Sequence, residues 1–318
     1  MTLRITRITR PWSLDRVGGA ARPACPWSST MLGGMRGRSR WTFLAAVGAL
    51  VLAGCAGTGD ARDRLTPAPT APTTVPADPA TAAVPVWFVG GTTAGDRLFR
   101  EVRALRDGGP DGAAPDPVGT AVTAVLEGRT DDPDHWTDWP EGVRLRSPVT
   151  HGNGVLTVDL AVAGPLPGPA GLALQQLVYT VQSAAQSTDP VRILVGGEQT
   201  SSLLGEPVDT PLTAADPFQV RSLVEIDDPA DGVRVESPVV VTGEAAVFEA
   251  TLLWEVRDES DDVVRAGVAS TAEGQRFAPF RIEIPLDPGD YTVVVSEDDP
   301  SGGEGRPPMS DSVRVTVR

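Results

Sequence analysis

Apolar and polar positions follow three regimes along this chain. Residues 41–54, WTFLAAVGALVLAG, form one unbroken apolar run; residues 56–84 hold almost nothing large and apolar; from Val84 onward short apolar runs alternate with polar turns. VPVWFVG (84–90) has the continuous apolar pattern of a buried strand, and RLFREVRAL (97–105) the alternation of a second. PVGTAVTAVLEG (117–128) places Val118, Ala121, Val122, Val125 and Leu126 on one face at helical spacing, and Gly128 stops it. GVRLRSPVT and GVLTVDLAVAG (142–150 and 154–164) read as two strands joined by HGNG, whose glycines allow the positive φ of a tight turn. GLALQQLVYTVQSAAQ (171–186) carries Leu174, Leu177, Val178 and Val181 on one helical stripe, and VRILVGGE (191–198) closes the unit as a core strand. The order β-β-α-β-β-α-β predicts a small mixed α/β domain, two helices on a sheet, over residues 85–205.

PVDTPLTAADPF marks a linker, residues 206–220, after which only strand patterns occur. SLVEIDDPADG, VRVESPVVVTGEA, AVFEATLLWEVRDESDD, VVRAGVAST, FAPFRIEIPLDPGD, YTVVVSEDD and SVRVTVR give about seven short strands separated by Asp, Pro and Gly turns. That spacing predicts an immunoglobulin-like β-sandwich over 221–318, with Trp254 and Tyr291 as aromatic anchors of its core. The fold class expected of the folded part is therefore α+β.

The isolated apolar run has a different meaning. MRGRSR precedes it, with Arg36, Arg38 and Arg40 and no acid, so a basic segment, a short apolar segment and small residues follow in the order of a secretory signal. Its 14 residues fall short of the roughly 20 a spanning helix needs. Leu52-Ala53-Gly54-Cys55 resembles the lipobox of bacterial lipoprotein signals. The resemblance implies cleavage between Gly54 and Cys55 and a diacylglycerol on Cys55. It places the mature chain on the outer face of the cytoplasmic membrane. Because the run begins some forty residues in, Met1, Met31 and Met35 are all candidate starts, and residues 1–54 are read as an over-extended start plus signal peptide. Residues 55–84, rich in Pro, Thr and Ala, cannot bury enough surface to offset their ordering entropy and read as a disordered tether.

Charge narrows the function classes. The chain has 27 basic and 42 acidic residues, net −15; the segment before Cys55 carries eight arginines and one aspartate, and removing its +7 leaves −22. Nucleic acid is a poor partner for such a chain, since affinity for it comes from neutralising phosphates. Membrane attachment has to come from the lipid rather than from charge. All the basic residues are arginine, which with the Ala, Gly, Pro and Val content fits a GC-rich, actinobacterial genome. Cys25 goes with the leader and Cys55 is expected to be acylated, so no disulfide is expected.

Two family resemblances follow from the residues quoted above. VWFVG, TAVTAVLEG, the GVRLRS–GVLTVDL pair, LQQLVYTVQ and VRILVGGE resemble the successive blocks of the GerMN domain of sporulation and spore-germination proteins. RTDDPDHWTDWPEG (129–142) departs from it, standing where relatives have a short turn. SPVVVTGEA, VFEATLLWEVRDES and GDYTVVVSEDD resemble the immunoglobulin-like domain of bacterial spore germination proteins. The resemblance implies interaction and assembly modules, and neither domain by itself implies spores.

Catalytic candidates are few. His151 sits in the HGNG turn, and His135 lies among Asp131, Asp132, Asp134, Asp138 and Glu141 in the inserted loop. Carboxylates and one imidazole suit a divalent cation, calcium by preference, but the spacing misses the calcium-loop pattern and the loop is read as solvated, with no metal assigned. Trp136 and Trp139 read as covering a core edge, and their alternative is a sugar-stacking platform. GGEQTSSLLGEP lacks a nucleophile elbow and GGTTAG lacks the Lys of a phosphate loop, so neither an enzyme nor a cofactor is expected. Glu249 and Glu255 are read as strand residues on a solvated face. The function expected is a non-catalytic, membrane-anchored envelope lipoprotein whose partner is another membrane or envelope protein. The alternative is a peptidoglycan or wall-glycan binder.

Overall fold

The computed structural model describes residues 83–104, 116–166, 168 and 171–318. β1 (Ala83–Thr92) and β2 (Gly95–Ala104) form an antiparallel hairpin that turns at Thr93-Ala94, with Gly95 at φ +93°. α1 (Pro117–Leu126) starts at Asp116, whose side chain accepts the Gly119 N–H, and Gly128 follows at φ +60°. Ala121, Val122, Val125 and Leu126 are buried as the helical spacing predicts, and Val118 packs beside them. Next come β3 (His135–Trp136), β4 (Val143–Leu145), β5 (Thr150–Gly152) and β6 (Val155–Val162). β5 and β6 turn at Asn153-Gly154, both at positive φ. α2 (Ala173–Ala184) crosses from β6 to β7 (Val191–Val195), which pairs parallel to β6. β8 (Glu198–Gln199), β9 (Ser202–Leu203) and β10 (Glu206–Pro207) complete the unit.

The expectation of one sheet under two helices is not what forms. β2-β1-β3 is one sheet and β4-β6-β7-β8, with β5 beside β6, is another. The cause is local. α2 lies along the open side of β1, where the Trp87 N–H donates to Thr180 Oγ1 (3.0 Å) and the Trp87 indole N–H donates to Ser183 Oγ (2.9 Å). β1 therefore has little edge left for a further strand, since it meets only the two-residue β3 on that side. Its two faces serve separate clusters. Val84, Val86 and Phe88 join Leu156, Leu160, Leu177 and Ile193 in the main core, while Trp87 and Val89 join Leu98, Tyr179 and Val220.

The residues read as a linker lie against this unit. Leu212 bridges to Val191, the Ala215 N–H donates to Gln175 Oε1 (2.8 Å), and the Tyr179 hydroxyl donates to the Ala215 carbonyl (2.7 Å). α3 (Pro217–Val220) follows, N-capped by Asp216.

The remaining strands are β11 (Val224–Asp228), β12 (Val233–Val235), β13 (Val239–Ala245), β14 (Thr251–Asp258), β15 (Val263–Ser270), β16 (Ala278–Ile284), β17 (Gly289–Glu297) and β18 (Ser310–Val317). They form two sheets, β11-β13-β16 and β12-β18-β17-β14-β15, antiparallel except for the parallel β12–β18 pair. The run VRVESPVVVTGEA, expected as one strand, is two strands in different sheets. Pro238 has no N–H to donate, and the chain changes sheet there. The core between the sheets is aliphatic, built from Val239, Val241, Leu252, Val256, Ile284, Val293 and Val295 with Phe280. Trp254 and Tyr291 are not its centre; both are only partly buried at its margin. Trp254 lies over Gly267 of the neighbouring strand, where a Cβ would overlap its ring. Glu249 is not on a strand: Phe248–Ala250 is a single 3-10 turn with Glu249 at φ +50°, and β14 begins after it.

Candidate functional site

The two folded units meet along β2. Leu98 bridges to Arg221, and the Ser222 N–H donates to the Leu98 carbonyl (2.8 Å), so the chain enters the sandwich directly beside β2. This junction concentrates buried charge in two clusters.

The first is a network of ion pairs. Arg100 holds Asp227 in a fork, Nε to Oδ1 at 2.8 Å and Nη2 to Oδ2 at 2.6 Å, and reaches Glu244 at 3.1 Å. Arg221 donates from Nε and Nη2 to the two oxygens of Glu225 and also to Glu244 (3.0 Å). Its guanidinium lies 4.6 Å from the Trp87 ring centre in the first unit and 3.8 Å from that of Phe277 in the second. Glu225 is 0% exposed. Burial pushes its carboxyl up to about 7, against the pull of Arg221 in the other direction.

The second cluster surrounds His135. Glu101 on β2 accepts hydrogen bonds from Arg103 (2.7 Å) and from the Asp131 and Asp132 N–H groups (2.9 and 3.3 Å). It also meets His135 Nδ1 at 3.0 Å. Burial raises the Glu101 carboxyl, but these partners outweigh it and hold it below the ordinary carboxylate range. The imidazole stacks on Phe99, with ring centres 4.8 Å apart. Gly90, paired with His135 across β1–β3, leaves room for both rings, because a Cβ there would run into them. Asp311, on β18, accepts the Ile226 N–H (2.7 Å) and the Ser312 N–H (2.8 Å). A ring nitrogen of His135 and one carboxylate oxygen from each of Asp132 and Asp311 lie within 4.8 Å of one another. Burial raises the Asp132 carboxyl and pushes that of Asp311 to about 6. Burial lowers His135, but Glu101 and the two aspartates outweigh it and the net shift is upward.

The structure divides the acidic loop read from sequence as a single solvated group. Asp131, Asp134 and Glu141 are exposed. Asp138 accepts the Trp136 indole N–H (3.1 Å) and the Leu172 N–H (2.7 Å), holding the approach to α2. Asp132 and His135 are the loop residues that meet Asp311 at the junction. Their third partner, Asp311, was not read as a site residue from the sequence, since nothing near it in the chain marks it. The tryptophans also separate. Trp139 is 4% exposed within the main core, its indole N–H without a hydrogen-bond partner among the described residues, whereas Trp136 is 38% exposed. The two rings are thus not available together as a sugar platform. His151 is exposed and paired with Asp189 at 2.6 Å. Gly54, Cys55 and the tether up to residue 82 lie outside the described residues; Ala83 and Val84, read as the tether's end, instead begin β1, with Val84 buried in the core. No helix among the described residues is long and apolar enough to cross a membrane.

The fold and junction define a two-domain protein, a mixed unit followed by an immunoglobulin-like sandwich. Residues 71–201 match a family described as "Sporulation and spore germination", and residues 223–304 match "Immunoglobulin-like domain of bacterial spore germination". The chain therefore has a domain architecture of the spore-germination type. Similar solved structures include the tandem GerMN domains of the sporulation protein GerM from Bacillus subtilis, 18% identical, covering 45% of this chain and 48% of that one, with a TM-score of 0.33. Another is CopC from Methylosinus trichosporium OB3b, 17% identical, covering 30% of this chain and 92% of that one, with a TM-score of 0.23. The chain spans about half the length of the GerM structure it matches. No curated protein matches it.

Proposed function

We propose that this protein is a non-catalytic envelope lipoprotein, anchored through a diacylglycerol on Cys55, that acts as an accessory module by binding another membrane or envelope protein. The spore-germination-type architecture supports the reading, and one observation carries it. β15 is the last strand of its sheet and pairs only with β14 among the described residues. Val263, Val264 and Val268 are exposed on it, Val268 at 68%, and Leu253 stands directly opposite Val268. An open, apolar strand edge is a liability that natural proteins usually blunt with charge or cover. Retained, it is a template to which a partner's strand adds by main-chain hydrogen bonds.

The test is in-cell crosslinking and affinity purification of the wild type, a Cys55→Ser form and a Val264→Lys/Val268→Lys form. Specific membrane or envelope proteins recovered with the wild type and lost with both variants are expected. Recovery indifferent to both changes would overturn the reading, as would recovery of wall material alone. The wall-glycan alternative loses support from the burial of Trp139.

A further inference from the structure

We propose that Asp132, His135 and Asp311 form a site for a divalent transition-metal ion, of the zinc class, that clamps the two folded domains together. Three observations converge on it. The donor atoms already lie within 4.8 Å of one another. Nitrogen and oxygen ligands at about 2 Å around one tetrahedral zinc stand about 3.3 Å apart, so side-chain rotations that draw the donors in by up to about 1.5 Å close the set.

The second observation is the state of His135. Its side chain is 8% exposed, and its Nδ1 is committed to Glu101. Nε2 makes no hydrogen bond among the described residues, and it is the nitrogen left to ligate. A carboxylate holding one imidazole nitrogen, itself fixed by Arg103 and two backbone N–H groups, is the arrangement that orients a metal-binding histidine and raises its basicity.

The third is charge. Asp132 and Asp311 carry no ion pair with arginine among the described residues, since Arg100, Arg103 and Arg314 are engaged by Asp227, Glu101 and Asp231. Carboxylate oxygens this close repel unless a cation or a proton lies between them. A cavity of about 30 Å³ opens on Glu101, Asp132, His135, Asp231 and Asp311, enough for about one water-sized occupant. One imidazole with two carboxylates suits zinc-like ions, whereas calcium wants six to eight oxygens. A water from the cavity supplies the fourth ligand.

The experiment uses the full chain, stripped with a chelator and titrated with zinc chloride in competition with a chromophoric chelator. One equivalent is expected to bind, with affinity reduced about tenfold or more in Asp311→Asn and in Asp132→Asn. Zinc should also raise the melting temperature of the wild type but not of these variants. Circular dichroism of each variant verifies its fold, and Asp311→Asn keeps the proposal testable if His135→Ala fails to fold. His151→Ala, which changes the exposed histidine, should bind like wild type. No binding, or zinc uptake equal in wild type and Asp311→Asn (an adventitious ion only), overturns the proposal. Loss of binding in His151→Ala alone does the same.

Discussion

Arg221 touches buried charge and aromatic rings from both domains at the junction, and its replacement by alanine tests what those contacts contribute. The guanidinium gives Glu225 both of its charged hydrogen bonds, reaches Glu244, and lies against Trp87 and Phe277 from the two domains. Removing one partner of a buried ion pair costs about 3–5 kcal/mol, because the other charge stays buried without compensation. Loss of a desolvated cation–π contact adds about 1–2 kcal/mol. Arg221→Ala should therefore destabilise the folded region by roughly 4–7 kcal/mol at pH 8.5, where Glu225 is ionised. At pH 5.5 Glu225 is protonated, and the loss should fall to about half, since the packing and aromatic terms alone persist. Urea unfolding followed by tryptophan fluorescence and by circular dichroism measures both values. Transitions that coincide in the wild type and separate in the variant would show the domains uncoupling. Arg221→Met/Glu225→Leu, which removes both charges together, should recover most of the loss. A cost under about 1 kcal/mol, or one equal at both pH values, would refute the reasoning.

Other substitutions probe separate parts of the argument. The folded-state pKa of Glu225 lies above its ordinary 4.5, so its stabilising contribution is complete below about pH 4.5 and is lost as pH rises through about 7. The stability difference between wild type and Glu225→Gln should therefore slope by up to about 3 kcal/mol across that window, and a flat difference would contradict the burial argument. Trp139→Ala should cost about 3–5 kcal/mol in thermal unfolding, and Trp136→Ala less than about 1 kcal/mol; equal costs would mean that the two rings are not placed as described. At Gly243 an added Cβ would overlap the Glu225 carbonyl and the Phe280 ring, so Gly243→Ala should lose about 1–3 kcal/mol, checked by denaturant midpoint.

Much of the fold was legible because its signals are local. The helical faces of α1 and α2, the Asn153-Gly154 turn and the alternation of Leu252, Trp254 and Val256 depend on neighbours a few residues away. The split of the first sheet was not legible. It follows from Thr180 accepting the Trp87 N–H, a contact between residues 93 positions apart. The aromatic anchors misled for a related reason: a tryptophan on a strand reads as core, but Trp254 found its place over Gly267 on the neighbouring strand. The loop around His135 failed in the same way. Its acidic spacing resembles solvated surface, and Asp132 becomes part of a buried cluster only because β18 of the other domain brings Asp311 to it. Glu101 gave no signal either, since on an alternating strand it reads as the solvent-facing member.

The junction and the open edge place the proposed functions on separate strands of one sheet. Asp311 is on β18, and β17 and β14 separate that strand from β15. At about 4.8 Å per strand spacing, the binding edge stands some 14 Å from the strand that meets the first domain. A partner strand added to β15 thus leaves the junction undisturbed, and a junction held by ion pairs keeps β15 at a fixed orientation to the first domain. Ion pairs suit that task better than an apolar contact would. An apolar surface tolerates sliding, whereas Arg100 on β2, forked to Asp227 and reaching Glu244 across the junction, loses its hydrogen bonds when the domains shift by about 1 Å. In the proposed anchored arrangement, with the chain leaving the first domain at β1, that stiffness makes the two domains a single spacer between the membrane and the edge offered to the partner.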